Sequence, residues 1–142
     1  MFPPKPDLAV RIPPKTELLK MVVELTKHLA TINSFEPSQA QKIALAVDEA
    51  ITNVIKHSYE GQVDDPVAVE FYSSENGLKI RILFHGIPPH PTLNEVDLKQ
   101  MIRDKRKGGL GVELMRRIMD TVEYSTRKGI NCCEMIKWNR PQ

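Results

Sequence analysis

Residues 38–57 read SQAQKIALAVDEAITNVIKH. Ala40, Ile43, Ala44, Val47, Ala50, Ile51, Val54 and Ile55 recur there at three- and four-residue spacing, so they line one face of an amphipathic helix. This is the strongest helical pattern in the chain, and it predicts a helix from about Ser38 to His57 with a broad apolar stripe seeking a partner layer. Glu49, Asn53 and His57 follow one another at four-residue spacing along the edge of that stripe, a carboxylate, a carboxamide and an imidazole stacked on one side. An ordinary polar helix edge accounts for three such residues too. Asn is the least comfortable of them in a helix interior, because its side chain competes for backbone hydrogen bonds and prefers caps.

Upstream, Leu8 to Ile12 alternates as a first strand and Pro13-Pro14 stops it. A helix follows from Thr16, read as its N-cap, with Leu18, Val22, Leu25, Leu29 and Ile32 on its apolar face and Asn33-Ser34 at its end. Downstream, Val67 to Tyr72 is a strand, Glu75-Asn76-Gly77 a hairpin turn, and Leu78 to Phe84 a second strand. Leu78, Ile80, Ile82 and Phe84 share one face of it, with Lys79 and Arg81 on the other. Residues 85–108 read as an irregular segment with a short helix near Leu93 to Ile102, a length typical of a functional lid. Gly108-Gly109-Leu110-Gly111 introduces a helix from Val112 to Met119. Strands Thr121 to Arg127 and Cys132 to Trp138, joined at Lys128-Gly129, close the chain.

Strands outnumber helices and arrive in adjacent pairs. The expected fold is therefore an α/β (α+β) two-layer sandwich, a mixed, largely antiparallel sheet with helices on one face. The 142 residues suit a single domain spanning 1–142. With 41% hydrophobic and 27% charged residues and no apolar run near the roughly 18 residues of a membrane span, the chain is expected in the cytoplasm and off the membrane. A net charge of +2 argues against a nucleic-acid partner. Cys132 and Cys133 are adjacent, so on a strand they face opposite ways and make no usual metal pair.

Glycines before a helix let a backbone approach phosphate oxygens, and the helix N-terminus adds unpaired N–H groups. An isolated G-x-G is equally well a hinge. Lys105, Arg106 and Lys107 stand just upstream, where they can reach phosphates or remain solvated.

Taken together, Asp48-Glu49-Ala50-Ile51-Thr52-Asn53-Val54-Ile55-Lys56-His57 resembles the N box of the GHKL ATPases, the gyrase, Hsp90, histidine kinase and MutL superfamily. It does so in the form used by anti-sigma-factor serine kinases of the RsbW type. Gly109-Leu110-Gly111-Val112-Glu113-Leu114-Met115 and the residues after it resemble that family's second glycine box and its helix. The resemblance implies that Asn53 binds magnesium, that Glu49 is the base activating the incoming nucleophile, and that Gly109, Leu110 and Gly111 cradle the phosphates of ATP. It places His57 at the last N-box position and Lys105 and Arg106 where the ATP lid meets the glycine box. It further implies a bacterial protein serine/threonine kinase that holds a sigma factor inactive and phosphorylates a STAS-type antagonist, as a homodimer.

Phe84-His85-Gly86 departs from the family pattern. The family has Asp-x-Gly there, its Asp accepting a hydrogen bond from the adenine amino group, and Gly86 alone of the defining pair remains. A phenyl ring accepts no such bond, which leaves a ligand donor unpaired at about 1–3 kcal/mol. Two readings stay open: an ATP-dependent kinase, or a nucleotide-independent binding module on the same scaffold. The ATPase part of a histidine kinase is a third, lacking its helical phosphoacceptor domain.

Overall fold

The computed structural model describes residues 1–58, 65–86 and 109–139. Its elements are β1 (Leu8–Ile12), α1 (Thr16–Ile32), α2 (Pro37–Asn53), a π-helical turn (Val54–Ser58), β2 (Val67–Ser74), β3 (Gly77–Phe84), α3 (Gly109–Ile118), β4 (Thr121–Arg127) and β5 (Ile130–Trp138). The five strands form one sheet in the order β1-β2-β3-β5-β4. Each neighbouring pair is antiparallel, so the mixed sheet expected from the sequence is, among the described residues, antiparallel throughout. The β2-β3 and β4-β5 pairs are hairpins joined by short turns, α1 and α2 lie between β1 and β2 in the chain, and β3 and β4 run in the same direction on either side of β5, with α3 between them in the chain.

Strand parity decides the two faces of the sheet. Val67, Val69 and Phe71 of β2, Leu78, Ile80, Ile82 and Phe84 of β3, and Cys133 and Met135 of β5 are buried. They form one core with Leu19 and Val22 of α1, Ile43, Val47, Ala50 and Ile51 of α2, and Met115 of α3. α2 packs against both α1 and α3 and is the central helix of the second layer. The opposite face carries the row Glu70–Arg81–Glu134, opposed in register across β2, β3 and β5. Arg81 lies 3.6 Å from Glu70 and 3.7 Å from Glu134. Beside it the Lys79 ammonium sits 4.3 Å from the centre of the Tyr72 ring, and Phe2 stacks on Trp138 at 5.3 Å. As the strand register requires, Cys132 and Cys133 fall on opposite faces; both are free thiols, and burial pushes Cys133 up to about 12.

Two helix starts differ from the sequence reading. Thr16 is the first helical residue rather than the cap; Lys15 occupies the cap position and supplies no side-chain bond. α2 begins at Pro37, whose missing N–H costs nothing at a first helical position, and the Gln39 side chain accepts from the Glu36 N–H at 3.3 Å. The face of α1 is also narrower than its pattern of leucines. Leu19, Val22, Thr26 and Ala30 are buried while Ile32 is 64% exposed. Thr26 can occupy that seam because its hydroxyl donates to the Val22 carbonyl at 2.7 Å and leaves no orphaned group.

The turns follow residue chemistry. α1 ends in a paired C-terminal motif, Phe35 N–H to Ala30 carbonyl at 3.0 Å and Ser34 N–H to Thr31 carbonyl at 3.1 Å, which places Ser34 at φ 68°. The β2-β3 hairpin turns at Glu75-Asn76, and Gly77 admits no side chain, since a Cβ there would stand 2.7 Å from the Lys137 carbonyl and the Trp138 ring. Lys128 and Gly129, at φ 52° and 79°, make the doubly left-handed turn that suits the twist of the β4-β5 hairpin.

Candidate functional site

The C-terminal end of α2 carries the candidate residues. α2 keeps α-helical hydrogen bonding through Asn53 and then widens into the π turn Val54–Ser58. Such turns are rare and concentrate at functional sites. The widening also corrects one expectation: Glu49 and Asn53 keep their four-residue stacking, but His57 lies inside the π turn, where that spacing no longer repeats. The backbone of His57 thus leaves the line of the other two.

Asn53 is the distinctive residue. Its Oδ1 and Nδ2 are both buried and both lack a hydrogen-bond partner. An unpaired buried amide costs about 1–3 kcal/mol for each group, and native structures seldom tolerate it without a ligand or function. One turn earlier, Glu49 is half-buried, and its carboxyl is held above the usual glutamate range, first by burial and then by the neighbouring Asp48, with Lys56 acting in the opposite sense. Asp48 is itself oriented by the Thr52 hydroxyl, which donates to it at 3.1 Å.

Phe84 ends β3 pointing into the core, 1% exposed. Its ring belongs to the same buried cluster as Ala50, Ile51 and Val54, the residues flanking Asn53 on α2. The inward orientation expected from strand parity is observed. No carboxylate stands at this position to receive a base amino group. Gly86, two residues on, has φ 108°, a left-handed conformation that favours glycine.

The glycine stretch differs from expectation in its local form. Gly109, Leu110 and Gly111 are the first turn of α3 itself, not a turn preceding a helix at Val112. The backbone there still offers the unpaired N–H groups of a helix start. Lys105, Arg106 and the lid segment up to Gly108 lie outside the described residues, apart from His85 and Gly86. His85 is exposed and 3.5 Å from Asp65.

Sequence reasoning passed over Asn131. This residue is 2% exposed, faces the helices with Cys133 and Met135, and is paired in register with Phe84. Its Nδ2 donates to the Gly86 carbonyl at 3.0 Å, and its Oδ1 accepts from the Thr126 hydroxyl at 2.8 Å. A polar residue interrupting the alternating apolar face of β5 was the available signal.

Among the described residues, two surface depressions lie away from these side chains. One, of about 450 Å³, opens on the polar face of the sheet beside Arg81, Leu83, Arg127 and Cys132. The other, of about 400 Å³, lies between α2 and α3 beside Lys42, Leu45, Leu114 and Arg117. Neither is lined by Glu49, Asn53 or Phe84. Among the described residues no three His, Cys, Asp or Glu side chains are grouped to hold a metal ion, and no helix is long and apolar enough to cross a membrane.

Comparison with known proteins agrees with this geometry. The chain is 26% identical over 129 residues to the serine-protein kinase RsbW of Listeria monocytogenes serovar 1/2a, covering 87% of this chain and 82% of that protein. It is 28% identical over 136 residues to the serine-protein kinase RsbW of Bacillus pumilus, covering 87% and 80%. A chain of the SiaB-SiaC complex from Pseudomonas aeruginosa shares the fold, with a TM-score of 0.64 at 13% identity over 93% of this chain and 89% of that one. The family described as the histidine kinase-like ATPase domain matches residues 12–137, and with a two-layer sandwich around α2 and the unpaired Asn53 at its end, the chain belongs to that family.

Proposed function

We propose that this protein is an ATP-dependent protein serine/threonine kinase of the anti-sigma-factor type. The observation that carries the reading is Asn53, a carboxamide buried at the end of α2 with neither polar atom satisfied. Its oxygen suits a hard cation such as magnesium, which is commonly held by one or two protein oxygens together with nucleotide phosphates. Its similarity to two RsbW serine-protein kinases supports the kinase class. When bound, magnesium ATP supplies the phosphoryl group to be transferred.

The chain's own residues divide the remaining work. Glu49, whose carboxyl burial and Asp48 hold above the usual glutamate range, takes the proton from an incoming serine hydroxyl. Gly109, Leu110 and Gly111 present backbone N–H groups of the first turn of α3 toward phosphate oxygens. Gly86 lets the chain turn away at the base side of the site. Lys105 and Arg106, His57 and the lid at 85–108 complete the nucleotide enclosure in this reading. The phosphoacceptor is a serine on a STAS-type antagonist, and a sigma factor is the partner held inactive, with β1 and α1 as the surface for dimer and sigma contacts.

Phe84 favours a second reading. Because its buried ring stands where an adenine acceptor is required, a nucleotide-independent binding module on the same scaffold fits that one residue better. Calorimetric titration with magnesium ATP separates the two. Saturable binding that chelation weakens supports the kinase; heat no different from buffer at millimolar ATP supports the module.

A further inference from the structure

Among the described residues, Asn53 and Asn131 are carboxamides buried in opposite hydrogen-bond states. Asn53 has no partner on either polar atom, whereas Asn131 has both of its ends engaged by groups of this chain. A satisfied buried amide holds structure together, whereas an unsatisfied one keeps its capacity to bond a ligand. The two roles therefore fall on different elements around the same core, Asn53 on α2 and Asn131 on β5.

The orientation of Asn131 is determined by its partners. A carbonyl oxygen can only accept, so the side facing Gly86 must be Nδ2. Oδ1 then faces Thr126, whose hydroxyl must donate. One side chain on β5 thereby ties the turn that follows β3 to β4, the edge strand beyond it. The tie lands on Gly86, whose φ of 108° leaves the turn little intrinsic preference to hold its carbonyl in place. It also lies beside Phe84, the register partner of Asn131.

We propose that Asn131 is a positioning residue that clamps the Phe84-His85-Gly86 turn from across the sheet. The base-side rim of the site is thereby set by the protein before any ligand arrives. The inference rests on the nucleotide reading for its functional half, while the clamp itself stands on the observed bonds. Asn131 touches neither the phosphates nor the reacting hydroxyl in this account; it acts through Gly86.

The test compares Asn131→Asp, Asn131→Ala and Thr126→Val with wild type. The isosteric Asp replaces the donor by a carboxylate facing the Gly86 carbonyl, Ala removes both bonds, and Val removes only the hydroxyl that fixes the amide orientation. Thr126 is exposed, so Thr126→Val keeps the fold if the buried variants do not. The first readout is the backbone amide resonance of Gly86 without nucleotide. A selective shift or broadening there, larger for the Asn131 variants than for Thr126→Val and absent from α1, is expected. A Gly86 resonance that stays at its wild-type position in every folded variant overturns the clamp.

The second readout is the affinity of each variant for a fluorescent ATP analogue, with a loss of roughly tenfold expected for Asn131→Ala, the equivalent of one hydrogen bond. Equal affinity in wild type and Asn131→Ala, with Gly86 displaced, overturns the positioning role. Absence of binding in wild type overturns the nucleotide reading and with it the functional half, and the Gly86 resonance decides the clamp regardless.

Discussion

Phe84 on β3 and Asn131 on β5 face each other in register on the helix-covered side of the sheet, one an apolar ring 1% exposed and the other a carboxamide 2% exposed. The ring offers no hydrogen-bond acceptor to the proposed nucleotide site, and the amide beside it is engaged by Gly86 and Thr126. The polarity of this corner is thus satisfied from within. At the C-terminal end of α2 the polarity of Asn53 is not, which makes this the part of the proposed site most dependent on a ligand.

Phe84→Asp removes a buried ring and places a carboxylate on an apolar face, so it lowers the stability of the empty protein by about 3–5 kcal/mol. It also supplies the missing acceptor, which raises ATP affinity by about 1.5–3 kcal/mol. Thermal melts with and without ATP check both parts, because a ligand that binds only the folded state returns some of the lost stability. Tight wild-type binding that the substitution weakens would show that the base is recognised through other groups.

Asn53→Ala deletes two unsatisfied buried groups and introduces a better helix former, so the empty protein gains about 1 kcal/mol. Magnesium-dependent nucleotide binding is lost in the same variant. Opposite changes in melting temperature and in affinity are the expected pair. A stability loss without nucleotide would mean that Asn53 has a partner within the chain.

Glu49→Gln reduces phosphotransfer by about 10²- to 10⁴-fold while leaving nucleotide binding in place, because only proton acceptance is removed. The stability effect depends on pH. The folded-state pKa of Glu49 is raised, so its contribution to stability is full below the unfolded value of ordinary glutamate and is lost as pH rises through the folded value. Glutamine should accordingly stabilise the protein at neutral pH relative to wild type and lose that advantage near pH 4. Melting curves at the two pH values, alongside a phosphotransfer assay, measure both.

Ser34→Gly relieves a left-handed backbone at φ 68° that a side chain disfavours by about 1 kcal/mol. The Ser34 and Phe35 N–H bonds that close α1 are backbone bonds and survive the change. The melting midpoint should rise by roughly 3 to 4 °C. Nucleotide affinity should not move, since α1 carries no part of the candidate site.

Much of this architecture is legible from local chemistry. Period 3.6 in residues 38–57 and period 2 in Leu78–Phe84 point to a helix and a strand, each with one apolar face, and strands arriving in adjacent pairs point to a mixed, largely antiparallel sheet beneath helices. The inward orientation of Phe84 and the opposed directions of Cys132 and Cys133 follow from strand parity alone. Tertiary packing decided what periodicity does not encode. The sheet order placed β5 between β3 and β4, and that choice brought Asn131 against Phe84 and Gly86, residues more than forty positions away in sequence. Packing centred the seam of α1 on Leu19, Val22, Thr26 and Ala30, because a threonine can be buried once its hydroxyl reaches the preceding turn. It also left Asn53 unpaired: whether a carboxamide on a helix edge meets water, a partner or neither depends on what the other layer places over it, and no local pattern in the chain contains that information.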